Sequence, residues 1–360
     1  MTGSSEQGVG ESIMDKIIEQ DCLEYIKRIN FVPLYGKTVL ITGANGLIGT
    51  YLIYMLHLIN KMEGAGIKIV GISKNAPCQA LRDIFDNKHK FISADLNKID
   101  YKELQLQTDY IIHGATYAQP SKFLRNYLDT MHLNTTATEK LLQKAKEDGA
   151  KLLFLSSSEV YGEPDRDNIP TPEEYSGLCS PVGIRAIYSE SKRMGETLCF
   201  AYKNFEGVEA KIARISMTYG PGVKLDDERV MANFIKQAIN DKKIVMLDDG
   251  RKVRTFCYIA DAVLMLLNIL LYGKDFVYNV GGKDSISIRR LAEEICTLTG
   301  STLSAESHMQ LPAQDIKVSP EHVELDIKKI CSEFKLEHFK PFKEGLTRTI
   351  VWNVLRSKGL

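Results

Sequence analysis

The stretch TGANGLIG, residues 42–49, limits what this chain can fold into more than any other. It sets Gly43, Gly46 and Gly49 directly after the β-branched run KTVLIT (37–42) and directly before the helical pattern LIGTYLIYMLHLIN (47–60). A strand that turns on glycines into a helix uses them for a tight turn, for close approach of backbone to a pyrophosphate, and for close helix–sheet packing. The helix N-terminus then faces the anion with its unpaired N–H groups. Gly43, Asn45, Gly46, Leu47, Ile48 and Gly49 are therefore candidate dinucleotide-binding residues.

The rest of the chain fits that beginning. Apolar runs at 67–73, 90–95, 109–115, 151–157 and 210–216 read as five further strands. Helical patterns separate most of them, notably 135–148 and 189–205. Continuous apolar strands alternating with helices imply a parallel sheet covered on both faces. The expected fold class is α/β, a Rossmann-type doubly wound sheet over 37–216, with 251–275 returning to it. Residues 217–250 and 276–352 are expected to form a smaller substrate-binding lobe. Ahead of the sheet, apolar residues at helical spacing (Ile17, Ile18, Leu23, Ile26, Ile29) predict a leading helix within 11–36, and residues 1–10 are expected to be disordered.

Composition excludes several alternatives. Lysine plus arginine and aspartate plus glutamate number 46 each, so no global field favours nucleic acid or an anionic membrane. The longest apolar run, 262–272, is about half the length a bilayer requires. Seven cysteines lie scattered without a CxxC, and the histidines show no ligand spacing, so we expect a reduced cytoplasmic protein without a metal site.

Two features bear on chemistry. The second strand runs into Ser73-Lys74-Asn75, with no carboxylate to take the adenine ribose hydroxyls; Lys74 can meet a 2′-phosphate or remain solvated. NAD and NADP both stay open at this point. Asp95, after the third strand, is a candidate for the adenine amino group, with Leu96 beside it and Ala115 at the end of the fourth strand. The other feature is Tyr188 and Lys192, at i and i+4 on one helix face. Of 16 tyrosines only Tyr188 has a lysine four residues on. A phenol with a pKa near about 10 is a poor base at neutral pH, and a nearby ammonium would favour its phenolate.

The GxxGxxG turn, the serine-rich end of the fifth strand (LSSSEVYGEP, 155–164) and YxxxK occur in this order, and together they resemble the extended short-chain dehydrogenase/reductases. The likeness spans roughly residues 36–352. It implies that Tyr188 is the acid/base, that Lys192 lowers its pKa and holds the nicotinamide ribose, and that Ser157 hydrogen-bonds the reacting hydroxyl. It also implies a homodimer, through a four-helix interface built from 134–146 and 188–202, and Asn134 as the site of a helix-bending water. Ser156 caps the strand end on the plainest reading. Family members that serve as sensors or scaffolds would be marked by loss of the tyrosine or lysine, and both are present.

Extended members mostly act on nucleotide-linked sugars through a transient 4-ketone, which opens three exits: epimerisation, loss of water, or loss of carbon dioxide. In dTDP-glucose 4,6-dehydratases an aspartate expels the C6 hydroxyl; here that position is Ser158. The Ser158-Glu159 pair is similar to UDP-glucuronate decarboxylases and to GDP-mannose dehydratases. Segments 177–202, 213–239 and 248–263 resemble the decarboxylases further. The resemblance implies that Glu159 handles a proton at C5 or on the ring, and that Arg254 faces a carboxylate or diphosphate, which its planar fork can pair with. Arg229 lies in a segment similar to phosphate-binding stretches, and Asn233 and the turn at 279–282 are further, weaker matches. Two departures stand against the decarboxylase pattern. Gly222 replaces an arginine, and HGATYAQPSKF (113–123) differs from the sugar-contacting loop, which makes Tyr117 and Gln119 candidate determinants of a different sugar or exit.

Overall fold

A computed structural model describes residues 13–85, 89–305 and 320–358. The expectation of disorder over 1–10 lies outside the described residues. Ten helices and strands cover the first half. They are α1 (Ile13–Ile26), β1 (Thr38–Thr42), α2 (Leu47–Glu63), β2 (Lys68–Ser73), β3 (Lys90–Ser93), β4 (Tyr110–His113), α3 (Pro120–Arg125), α4 (Tyr127–Asn134), α5 (Thr136–Asp148) and β5 (Lys151–Ser157). The second half carries α6 (Ala186–Phe205), β6 (Ala210–Ile215), β7 (Met217–Tyr219), α7 (Val230–Asn240), β8 (Lys243–Met246), β9 (Val253–Tyr258), α8 (Ile259–Tyr272), β10 (Val277–Val280), β11 (Ser285–Ser287), α9 (Ile288–Thr299), β12 (Thr302–Ala305), β13 (His322–Val323), α10 (Lys328–Phe334) and α11 (Phe342–Ser357).

Seven strands form one parallel sheet in the order β10-β6-β5-β4-β1-β2-β3. The order reverses at β1, between β4 and β2, and in doubly wound sheets the ligand crevice opens at the carboxyl ends of the strands beside that switch. All six strands expected from sequence are in the sheet. The seventh, β10, lies beyond residue 276, where the smaller lobe was expected to resume. Its four residues follow closely on the apolar run 262–272 and are too few to stand out in sequence, and pairing with β6 reveals them as sheet.

Helices α5 and α6 cover one face, with α4 packed on them; α2 and α8 cover the other, with α1 packed on them. Helix α8 is apolar on every side because it is enclosed on every side, with Ile259 to Leu271 all buried. Helix α1 seals it through a buried polar knot. Asp21, fully buried, accepts from Tyr51 Oη at 2.9 Å and also from Tyr258 Oη and Arg348. Tyr25 Oη donates to buried Asp261 at 2.9 Å, and burial pushes the Asp261 carboxyl up to about 6. Over the sheet's carboxyl edge sits a small group of strands in which β9 pairs with β7, β11 and β13, while β8 and β12 pair beside it.

Candidate active site

The switch point opens into a cleft of about 1310 Å³, lined by the glycine turn, the ends of β4 and β5, the start of α6 and the loops around β9. Gly43 has φ +75°, and a Cβ there would stand 2.9 Å from the backbone of Gly114 and Ala115. A Cβ on Gly49 would lie 2.4 Å from the Gly43 carbonyl, so helix and turn meet without side chains. Gly46 caps α2, and Asn45, Leu47 and Ile48 line the cleft at the helix N-terminus. Asn45 also fixes the neighbouring loop: its Nδ2 donates to Ala76 O at 2.8 Å and to Asn75 O at 3.2 Å, and its Oδ1 accepts from Cys78 N at 2.9 Å. Lys74 pairs with Asp95 at 3.4 Å across the ends of β2 and β3. Leu96 is buried in the core behind them, and Ala115 N donates to Thr42 Oγ1 at 3.3 Å.

The chemical residues gather at the end of β5. Ser157 Oγ accepts from Glu159 N at 3.2 Å and lies close enough to the Tyr188 phenol to favour its ionised form. Burial pushes the Tyr188 phenol up to about 12; the Glu159 charge adds to that, while Ser157 and Arg229 oppose it. Lys192 is 1% exposed, donates to Leu155 O at 2.7 Å and lies 4.6 Å over the Phe154 ring. Burial brings its pKa down to about 7. The lysine expected to acidify Tyr188 is thus itself held close to neutrality, and burial governs the phenol in the protein alone. Ser158 lines the cleft. Ser156 turns away and donates to Glu196 at 2.6 Å, within the Glu196–Arg214 pair, which is a packing role.

Three groups escaped the sequence reading. Arg185 pairs with Glu159 through one nitrogen, Nη2, which lies 2.5 Å from Oε2 and also meets Oε1. It stands one turn before Tyr188, and that i−3 spacing was its legible signal. Phe123 stacks on the Tyr188 ring at 5.5 Å and 17°. Thr116 and Ser216 line the cleft, and each, like the expected Gln119, has a buried side-chain oxygen without a protein partner. Native interiors rarely leave such atoms unpaired unless a ligand or water meets them.

The arginines divide. Arg254 is buried at the cleft wall, where Nη1 donates to Val253 O at 2.6 Å and Nη2 to Pro320 O at 2.6 Å. Burial lowers its pKa, Glu159 raises it and Arg185 lowers it, so all three share one electrostatic neighbourhood. Arg229 is bound to Asp227 at 2.5 Å, beside Asn233 on the cleft wall. Tyr117 lines the cleft next to Gln119. Gly222 has φ +102°, a backbone conformation that an arginine would adopt only under strain, while a Cβ there would press only on the movable end of Leu47, at 2.9 Å. Asn279 is structural, accepting from Tyr161 Oη at 2.7 Å and donating to Thr171 O at 2.9 Å. Asn134 sits at the α4–α5 break, donates to Ser191 Oγ at 3.0 Å, and keeps a buried Oδ1 without a partner. Among the described residues no cluster of three metal-ligating side chains occurs.

The model of the NAD dependent epimerase/dehydratase family matches residues 39–281. The chain belongs to that family. UDP-glucuronic acid decarboxylase 1 of Xenopus tropicalis is 35% identical over 321 residues, covering 87% of this chain and 71% of the relative. UDP-glucuronic acid decarboxylase 5 of Arabidopsis thaliana is 32% identical over 312 residues, 86% of each chain. In fold, the UDP-glucuronic acid 4-epimerase of Bacillus cereus, solved with UDP-glucuronic acid and NAD, matches with a TM-score of 0.73. That match covers 89% of this chain and 99% of its own at 24% identity, a likeness of fold alone. The crowded glycines, the open helix N-terminus and the unpaired cleft oxygens fit NAD, the cofactor of this enzyme family. Among the described residues no helix is long and apolar enough to cross a membrane.

Proposed function

We propose that this enzyme oxidises a nucleotide-linked uronic acid at C4 and releases its carboxyl group as carbon dioxide, with UDP-glucuronate as the substrate. The observation that carries this reading is the cationic wall of Arg185 and Arg254 around Glu159, beside Tyr188. A sugar carboxylate suits two guanidinium groups, whereas a neutral C6 hydroxyl would leave them without an anionic substrate group. The names of the relatives that cover most of the chain point the same way.

Bound NAD supplies a reversible hydride acceptor for C4. The chain supplies the rest. Tyr188 takes the proton of the C4 hydroxyl, which Ser157 orients. Lys192 accepts the phenolic proton that Tyr188 gives up as it takes the C4 proton, and its pKa of about 7 suits that exchange. Once C4 is a ketone, the C5–C6 bond of the β-keto acid breaks, carbon dioxide departs, and the electron pair is held as a C4 enolate. Glu159, steadied by Arg185, handles the proton that C5 then gains. Ser158 offers no acid to expel a C6 hydroxyl, which disfavours the dehydration route that uses an aspartate there. Gly43, Gly46, Gly49 and the α2 N-terminus hold the pyrophosphate, Asp95 the adenine, and Arg229 the substrate diphosphate.

The enzyme is further read as a cytoplasmic homodimer. Seven cysteines without a disulfide suit a reducing compartment. Met194 and Phe200 on α6 are exposed apolar side chains within the 134–146 and 188–202 interface, and Tyr127, Leu128 and Met131 on α4 add exposed apolar surface just before it. Incubation with UDP-glucuronate, UDP-N-acetylglucosamine, GDP-mannose, CDP-glucose and dTDP-glucose, followed by mass spectrometry, tests the substrate. Loss of carbon dioxide from UDP-glucuronate alone is expected. Loss of water, or an unchanged mass with altered retention, would replace decarboxylation by dehydration or epimerisation.

A further inference from the structure

The adenosine end of the cleft differs from what an NAD site ordinarily presents. In NAD-binding Rossmann sheets a carboxylate near the end of the second strand accepts both ribose hydroxyls, and its charge repels the 2′-phosphate of NADP. Here β2 ends in Ser73, followed by Lys74 and Asn75, and none of these is acidic. Lys74 is more than half exposed and its pKa is raised by Tyr117 and Asp95, so it is a charged ammonium beside Tyr117 of the cleft wall, just outside the cleft's own lining. Its loop is held in place, because Asn45 of the glycine turn grips Asn75 O, Ala76 O and Cys78 N. The residue that would meet a 2′-substituent is therefore tied to the turn that would meet the pyrophosphate. Farther along the loop, Arg82 and Asp83 are both exposed and of opposite sign.

From this we infer that Ser73 and Lys74 form a subsite for a 2′-phosphate, so that the enzyme binds NADP as well as NAD instead of rejecting it. The Ser73 hydroxyl can donate to either a ribose hydroxyl or a phosphate oxygen, and the Lys74 ammonium pairs with the phosphate. Asp95 lies 3.4 Å from Lys74 and offsets part of its charge, which makes the subsite tolerant of NADP and not selective for it. This inference rests on the dinucleotide reading of the cleft.

The test is isothermal titration calorimetry of the full chain, stripped of copurified dinucleotide, with NAD and with NADP separately. The expected NADP affinity lies within about tenfold of that for NAD. Lys74→Glu is expected to weaken NADP relative to NAD by about tenfold or more, the scale of a charge-assisted hydrogen bond replaced by like-charge repulsion. A wild-type preference for NAD beyond about tenfold, or an NADP-to-NAD ratio that Lys74→Glu shifts by less, overturns the inference and leaves the NAD site standing. If Lys74→Glu impairs folding, Lys74→Gln is judged by whether it lowers the ratio at all. Failure of both dinucleotides to bind the wild type would overturn the dinucleotide reading itself.

Discussion

Replacing Lys192 by methionine should make the protein more stable at neutral pH while abolishing turnover. The structure gives both the sign and the size. Lys192 is fully enclosed, and its pKa falls from 10.5 unfolded to about 7 folded. Between those values the unfolded chain binds more protons than the folded one, so this lysine makes stability rise with pH. Well below pH 7 its full penalty is present, about 5 kcal/mol from the shift at roughly 1.4 kcal/mol per unit, and at pH 7 itself it is about 4 kcal/mol. By about pH 10 the penalty shrinks to about 1 kcal/mol, since the unfolded lysine is then losing its proton as well. Methionine keeps the stem and removes the charge, but loses the bond to Leu155 O and the contact over Phe154. Those losses offset about 1–2 kcal/mol. Urea unfolding at a series of pH values should show Lys192→Met more stable by about 2–3 kcal/mol near neutrality, with the advantage vanishing or reversing near pH 10. A variant that is less stable at every pH by a constant amount would refute the claim that burial, and not a partner anion, sets the state of Lys192.

Other outcomes follow from the same geometry. Tyr188→Phe should lower turnover by about 100-fold to 10,000-fold while NAD still binds by calorimetry, because the phenol is the acid/base and not a cofactor anchor. Arg185→Ala should lower kcat, with Arg185→Lys restoring much of it because a single nitrogen, Nη2, makes both contacts to Glu159 and an ammonium can replace it. Gly49→Ala should abolish NAD binding in a titration, since its Cβ would sit 2.4 Å from Gly43 O and push the helix off the turn.

Much of the fold was legible because its signals are local. The glycine turn and the β-branched runs name six strands without tertiary help, and Tyr188 with Lys192 is readable as one helix face. What stayed hidden depends on distant partners. The four residues of β10 become a strand only against β6. Ser156 lies in the same serine cluster as Ser157, yet it faces Glu196 while Ser157 faces Tyr188, and one step along a strand reverses the side. Arg185 gains meaning only once Glu159 is folded against it. Gly222, which looks in sequence like a missing arginine, sits at φ +102°, a backbone conformation that favours glycine.

The central claim is that the sugar is oxidised and reduced again at C4 around a loss of carbon dioxide. UDP-glucuronate carrying deuterium at C4 tests it most directly, with the product read by mass spectrometry and proton NMR. The account predicts a UDP-pentose that has lost the carboxyl group and still carries the deuterium at C4. A product that retains its carboxylate, or one that loses carbon dioxide with its C4 deuterium exchanged into solvent, would contradict it.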